Sequence, residues 1–178
     1  MKLKTLKGIF PIIFITVVVF AAVGLITWTD SVTADKIEYQ KEQEIKSMLQ
    51  EMFPSMSRYT FEDDIYTLYA EESEVGYAFL ALGKGYGGDI DILVGLEDET
   101  TIKAITIISQ SETPGLGSRI AESSFATEFT GVNIDDIILK QDGGQIDAIT
   151  GATISSRAVI EAVRTTAMEK VKSLKERK

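Results

Sequence analysis

Three hydrophobic patterns follow one another along the chain. The first is continuous: the 21 residues from Gly8 to Trp28 (GIFPIIFITVVVFAAVGLITW) carry no formal charge. As a helix rising ~1.5 Å per residue, the stretch covers roughly 31 Å, about the depth of a hydrocarbon core. Pro11 and Gly24 stand near its ends, where a spanning helix tolerates them, and Trp28 suits an interfacial position. A run that is apolar all round leaves no solvent face, which argues against a core helix. It also exceeds the ~7–15 apolar residues of a secretory signal, so it reads as a retained anchor in preference to a signal cleaved after Val32-Thr33-Ala34.

The second pattern is helical. Ile37, Ile45, Met48, Leu49 and Met52 recur at roughly helical spacing from Asp35 to Phe53, and Pro54 ends the run. No heptads are sustained. The third pattern begins with period two: Glu74–Leu82, Asp89–Leu96 and Thr101–Ile108 are short and rich in β-branched or aromatic residues, and are bounded by glycines or acidic turns. The turn Glu97-Asp98-Glu99-Thr100 joins the last two as a hairpin, so the sheet is expected to be antiparallel. A loop over Ser109–Gly117, a helix from Ser118 to about Phe129 and a short strand at Ile137–Leu139 are expected next. A last helix runs from about Ile154 to Lys175, with Val159, Ala162, Val163, Thr166, Ala167, Val171 and Leu174 along one face. The fold class is therefore α+β: an N-terminal transmembrane helix followed by one exported domain with an antiparallel sheet and flanking helices. The expected divisions are a basic N-terminus (1–7), the span (8–28), a juxtamembrane helix and linker (29–54) and the domain itself (55–178).

Charge orients this arrangement. Lys2, Lys4 and Lys7 are the only charges before Asp30, which predicts a cytoplasmic N-terminus and a body on the outer side, periplasmic or extracellular. Of 18 Lys and Arg against 27 Asp and Glu in 178 residues, removing the three head lysines leaves a body of 15 against 27. An acidic body argues against nucleic acid as a partner. The chain contains no Cys and no His. That removes disulfides, thiolate-held iron–sulfur clusters, Cys/His zinc sites and His-activated nucleophiles, so any redox chemistry must be carried by an organic cofactor.

Three short motifs are candidates for chemistry. Gly83-Lys84-Gly85-Tyr86-Gly87-Gly88 matches G-x-G-x-x-G, but a dinucleotide fingerprint needs a helix after it, and Asp89–Val94 alternates like a strand. These glycines read as a turn needing positive φ or close backbone approach. Glu112-Thr113-Pro114-Gly115-Leu116-Gly117 contains a type II turn pair that holds Leu116 outward, either a plain turn or one wall of a pocket for a flat ligand. Asp147-Ala148-Ile149-Thr150-Gly151-Ala152-Thr153 runs into the last helix. Thr153 or Ser155 could serve there as an N-cap, or hydroxyls and amides at a helix start could hold phosphate; spacing leaves both open.

The same three stretches, 76–96, 112–117 and 147–153, occur in the order found in one family. On these residues the chain resembles the FMN-binding domain family, within it the G subunits of Rnf-type electron-transport complexes, with NqrC-type subunits of sodium-pumping quinone reductases as near relatives. The resemblance implies FMN held by a phosphoester bond to the hydroxyl of Thr153, with Thr150, Gly151 and Ala152 around the phosphate. It implies that Asp147 is the acidic position read by a separate flavin transferase. It places Thr113 and Leu116 against the isoalloxazine ring and makes Glu112 the residue that shapes their loop. Thr150 stands where many members have Ser, which keeps the hydroxyl, and Gln110-Ser111 stand where many Rnf-type members carry a His.

The function so implied is that of an electron-carrying flavoprotein subunit of an ion-translocating oxidoreductase. It has no catalytic residue or metal of its own, and its partners are other membrane and redox subunits, the transferase and membrane lipid. A single span without ionisable residues cannot form an ion path alone, so ion transport would need those other subunits. Two alternatives stand beside this reading: a stand-alone exported flavoprotein reductase, and a flavin-free exported binding domain.

Overall fold

The computed structural model describes residues 3 to 177, with side chains described for 11–28, 40 and 42–176. Lys2, Lys4, Lys7 and the Val32-Thr33-Ala34 site fall outside those side chains. The chain divides into two units, Met1–Ser47 and Met48–Lys178.

The described residues of the first unit belong to helix α1 (Leu3–Met52), whose range takes in the expected span and most of the polar segment after it. Pro11–Trp28 has a mean hydropathy of 2.4 and is exposed throughout, so this part of the helix is long and apolar enough to cross a membrane. Its two hydroxyls are satisfied within the helix: Thr16 Oγ1 donates to the Ile12 carbonyl at 2.8 Å and Thr27 Oγ1 to the Val23 carbonyl at 2.9 Å. In hydrocarbon no water is available to do so.

The second unit is built on a five-stranded antiparallel meander in sequence order: β1 (Arg58–Glu62), β2 (Ile65–Ala70), β3 (Ser73–Lys84), β4 (Asp89–Leu96) and β5 (Ile102–Gln110). Alternation puts Phe79 and Ala81 of β3, Ile92 and Val94 of β4 and Ile105 of β5 into one core, closed by the last helix. That helix, α3 (Thr153–Arg177), contributes Val159, Val163, Ala167, Val171 and Leu174. It lies close to β3 because Gly83 is bare: a Cβ there would stand 2.9 Å from the Ala158 carbonyl oxygen. At the far end Lys170 Nζ donates to the Asp63 carbonyl at 3.2 Å, tying α3 to the first hairpin. Leu49, Met52, Phe53 and Met56 form a second buried group. The Phe53 ring occupies the space over Gly76 and Gly95, where added Cβ atoms would meet it at 2.5 and 3.0 Å.

One element goes beyond the expectations, and two expectations are corrected. The chain over 58–70 forms the β1–β2 hairpin, whose turn residues Asp63 and Asp64 both adopt positive φ (50° and 60°) without a glycine to signal it. The expected helix from Ser118 to Phe129 is broken by Glu122, which is extended (φ −71°, ψ 142°). It leaves a 3-10 turn at Gly117–Ala121, a short helix α2 (Ser123–Ala126) and a 3-10 turn at Thr127–Phe129. The break lets Ile120, Phe125 and Phe129 all reach the core, the two rings edge-on at 5.4 Å. Ile137–Leu139 is not a strand: its sheet-like pairing is one parallel bridge, Leu139 to Ile146, inside a tight loop. The glycine-rich turn is followed by β4, as its alternation requires.

The β4–β5 hairpin is held by Asp98, whose carboxylate accepts from the Thr100 amide (2.7 Å) and hydroxyl (2.8 Å) and from the Thr101 amide (2.9 Å) and hydroxyl (3.3 Å). These bonds, the Thr100 hydroxyl foremost, hold the carboxyl below the usual aspartate range. A depressed folded-state value means stability that is present above the unfolded-state titration and lost as pH falls through the folded one. Because the group is exposed and screened, Asp98→Ala is expected to lower the unfolding free energy by about 1 kcal/mol at neutral pH, not by four full bonds. Urea unfolding of the full chain in detergent should show this gap closing as the pH drops below the ordinary aspartate range.

Candidate functional site

Three segments converge on one cleft: the turn Gly85–Gly88 between β3 and β4, the loop Glu112–Gly117 after β5, and the entry into α3. Glu112 joins them. It is 6% exposed, a buried carboxylate whose two oxygens are both engaged. Oε1 accepts from the Gly87 amide at 2.9 Å, and Oε2 accepts from the hydroxyl of the equally buried Ser155 at 2.7 Å. Its own amide donates to the Gln110 side-chain oxygen at 2.6 Å. The glycines nearby make room for this contact. A Cβ on Gly85 would overlap Oε1, one on Gly87 would overlap the Ser111 carbonyl, and one on Gly117 would stand 2.5 Å from Oε2. The G-x-G-x-x-G stretch is thus required by close approach, and none of its glycines has positive φ.

The loop after Glu112 is a turn of the expected kind. The Leu116 amide donates to the Thr113 carbonyl at 3.1 Å, with Gly115 at φ +75° in the third position. The Ser118 hydroxyl accepts from the Gly115 amide at 3.0 Å and steadies it. Leu116 stays exposed and reaches toward the third segment, where a Cβ on Gly151 would lie 3.4 Å from its Cδ2. There a second turn closes, from the Ala152 amide to the Ile149 carbonyl at 2.9 Å, with Gly151 at φ +81°.

Helix α3 then starts from the Ala152 carbonyl, which accepts from the Ser156 amide at 2.9 Å. Neither Thr153 nor Ser155 caps it. Ser155 is committed to Glu112, while Ser156 Oγ accepts from the Ile149 amide and donates to the Ala152 carbonyl, both at 3.0 Å. Thr153 is the first helical residue and is exposed, and among the described residues nothing hydrogen-bonds its hydroxyl. The first turn of α3 contains no acidic side chain of its own, and the carboxylate that meets it is Glu112, through Ser155.

The cleft has a volume of about 590 Å³, within the ~300–1,000 Å³ usual for cofactor sites. Its walls include Glu112, Thr113, Leu116, Gly151, Ala152 and Thr153. Thr150 and Asp147 are not among its wall residues. Asp147 lies outside, exposed and paired with Lys140, whose ammonium it holds above the usual lysine range through their hydrogen bond. Tyr86, Gly117, Ile154 and Ser155 also line the cleft and were not singled out from the sequence as cofactor contacts. A helix start, an exposed threonine hydroxyl on its first residue and apolar side chains in the same cleft have the chemistry to fit a ligand with a phosphate at one end and a flat ring at the other.

Comparison with known proteins supplies the family. Residues 85–167 match the FMN-binding domain, a range that contains all three cleft segments. The G subunit of the ion-translocating oxidoreductase complex of Vibrio vulnificus is 30% identical over 179 residues, covering 85% of each chain. Its counterpart in Pseudoalteromonas atlantica is 32% identical over 171 residues, covering 82% of this chain and 80% of the relative. The chain belongs to the family of G subunits of ion-translocating oxidoreductase complexes. The fold is shared more widely. The C subunit of the Na(+)-translocating NADH-quinone reductase of Parabacteroides distasonis superposes with a TM-score of 0.51 at 24% identity, over 60% of this chain and 61% of that one. NqrC of Shewanella oneidensis gives 0.51 at 17% identity, over 68% and 74%. With the apolar segment of α1, membership of this family makes the protein membrane-associated.

In this family member the Glu112 bridge should be structural before it is anything else. Glu112→Ala leaves the Ser155 hydroxyl and the Gly87 amide without their acceptor, at an expected cost of about 2–3 kcal/mol. Thermal unfolding of the full chain in detergent checks this. A loss within the ordinary surface range of about 0.5 kcal/mol would show that the bridge does not hold the segments together.

Proposed function

We propose that this chain is the FMN-carrying electron-transfer subunit of an Rnf-type ion-translocating oxidoreductase complex, with FMN attached by a phosphoester bond to Thr153. The observation that carries the attachment is the Thr153 hydroxyl itself: exposed, free of hydrogen bonds among the described residues, and set on the first residue of α3 at the wall of the cleft.

Bound FMN supplies the ability to take up and pass on one or two electrons without a metal, which suits a chain with neither Cys nor His. The chain's own residues do the rest. The amides and dipole at the start of α3 favour the phosphate's negative charge at the point of attachment. The Gly151 turn, with Thr150 and Ala152 beside it, brings the backbone close to that phosphate. Leu116 offers an apolar surface to the ring, and Thr113 a hydroxyl beside it. Glu112 spends both oxygens on holding the walls, so its role is to position these groups.

Asp147 stands outside the cleft on an exposed segment, where a flavin transferase can reach it before the bond to Thr153 is made. The three lysines ahead of the span support an N-terminus in the cytoplasm and an FMN domain on the outer side, with the span held in lipid. The described span has no ionisable side chain, so the ion path belongs to other membrane subunits, with which this one exchanges electrons.

The test is intact mass and in-gel flavin fluorescence after co-expression with a flavin transferase. Wild type should carry one flavin that survives denaturation, Thr153→Ala none, and Thr153→Ser, which keeps a hydroxyl, should retain it. Because the Thr153 hydroxyl caps nothing, Thr153→Ala should change stability by less than about 0.5 kcal/mol, which separates loss of flavin from loss of fold. A flavin retained in Thr153→Ala would contradict the attachment site.

A further inference from the structure

One aromatic side chain in the cleft has no structural work that the fold explains. Tyr86 sits at the tip of the Gly85–Gly88 turn and is 73% exposed, and among the described residues its hydroxyl has no hydrogen-bond partner. It adds nothing to either buried group, yet the turn that bears it is fixed with care. The Gly85 amide donates to the Gly88 carbonyl at 2.9 Å, and the Gly87 amide donates to the buried Glu112 carboxylate. Gly85 and Gly87, which flank it, are both pressed so closely on Ser111 and Glu112 that neither has room for a Cβ. The backbone under Tyr86 is therefore rigid, while its ring is left in the open at the cleft.

Two other large apolar side chains share that exposure. Leu116, 48% exposed, comes from the loop after β5, and Ile154, 58% exposed, from the first turn of α3. Three segments far apart in sequence thus bring exposed apolar side chains to one concave site. A concentration of this kind marks a surface that something covers. Among the residues lining the cleft, Tyr86 is the single aromatic one. Aromatic rings meet flat π-systems in offset stacks or edge-on contacts, with centroids about 4.5–7 Å apart.

We infer that Tyr86 is a cofactor-contacting residue of this protein, its phenol packing against the isoalloxazine ring of the bound flavin as an aromatic wall that acts with Leu116 and Ile154. This rests on the flavin reading above and adds a contact to it. Tyr86 shields one part of the ring from water, and its electron-rich phenol quenches the ring's fluorescence. The Glu112 bridge, by fixing the turn, fixes the backbone from which that phenol projects.

The test uses the full chain in detergent after co-expression with a flavin transferase, as wild type, Tyr86→Phe and Tyr86→Ala. Flavin content is read by intact mass, fluorescence yield per flavin in the folded and denatured states, and exposure by iodide quenching. All three proteins should carry one flavin. Wild type should be strongly quenched when folded and brighten on denaturation. Tyr86→Phe, which keeps the ring but loses the electron-rich phenol, should be severalfold brighter when folded yet as protected from iodide as wild type. Tyr86→Ala should be both bright and open to iodide. If all three carry flavin and the folded yields of wild type and Tyr86→Phe are equal, Tyr86 does not contact the ring and the inference is overturned while the flavin reading stands. If wild type carries no flavin, the reading beneath the inference fails, and the inference fails with it.

Discussion

The buried carboxylate of Glu112 is the constraint on which the site depends. A buried carboxylate is stable only when its oxygens are satisfied, and here they are satisfied by groups that lie 25 residues before it and 43 residues after it. Satisfying the charge therefore means bringing the β3–β4 turn and the start of α3 to the loop after β5. The glycines at 85 and 117 follow from this arrangement, because any side chain there would occupy the space of the carboxylate oxygens. The cleft is what remains between three segments drawn together at one point, so its walls are in place before a ligand arrives.

The fold supplies the frame for that junction. A sequential meander with α3 packed along β3 and β4 sets the N-terminal end of α3 beside the loops that leave the sheet. Gly83 lets the helix backbone approach the strand, and Lys170 anchors the distant end of the helix to the first hairpin. Position along α3 thus separates two tasks. Its first turn lines the cleft and holds Glu112 through Ser155, and its later turns, from Val159 to Leu174, fill the core. With no cysteine in the chain, no disulfide reinforces the domain, and this packing has to hold it together.

What could be read from the sequence was whatever has a local cause. β4 alternates over Asp89–Leu96 and occupies those residues in the structure, and the turn at Pro114-Gly115 closes where its dipeptide predicts. The α+β class followed from patterns of this sort, and the family from the resemblance carried by 76–96, 112–117 and 147–153. Features caused by distant partners were not legible. Ser155 looks like a cap until Glu112 is beside it, and Tyr86 looks like a turn residue until the cleft is seen. The β1–β2 hairpin was not read because its turn, Asp63-Asp64, has no glycine, although aspartate is among the few residues that adopt positive φ. Glu122 breaks a stretch that reads as one helix, because the core takes Ile120, Phe125 and Phe129 together and a continuous helix would not present all three in the same way.

The central claim is that one cleft, assembled by Glu112, is where the flavin resides. Hydrogen exchange of the full chain in detergent, expressed with and without a flavin transferase, tests it most directly. Loading is expected to slow exchange at the amides of 85–88, 113–117 and 152–156, and to leave the sheet and the first hairpin unchanged. Slowing centred elsewhere, for example on the groove between Phe61, Tyr66 and Lys170, with these three segments unaffected, would contradict it.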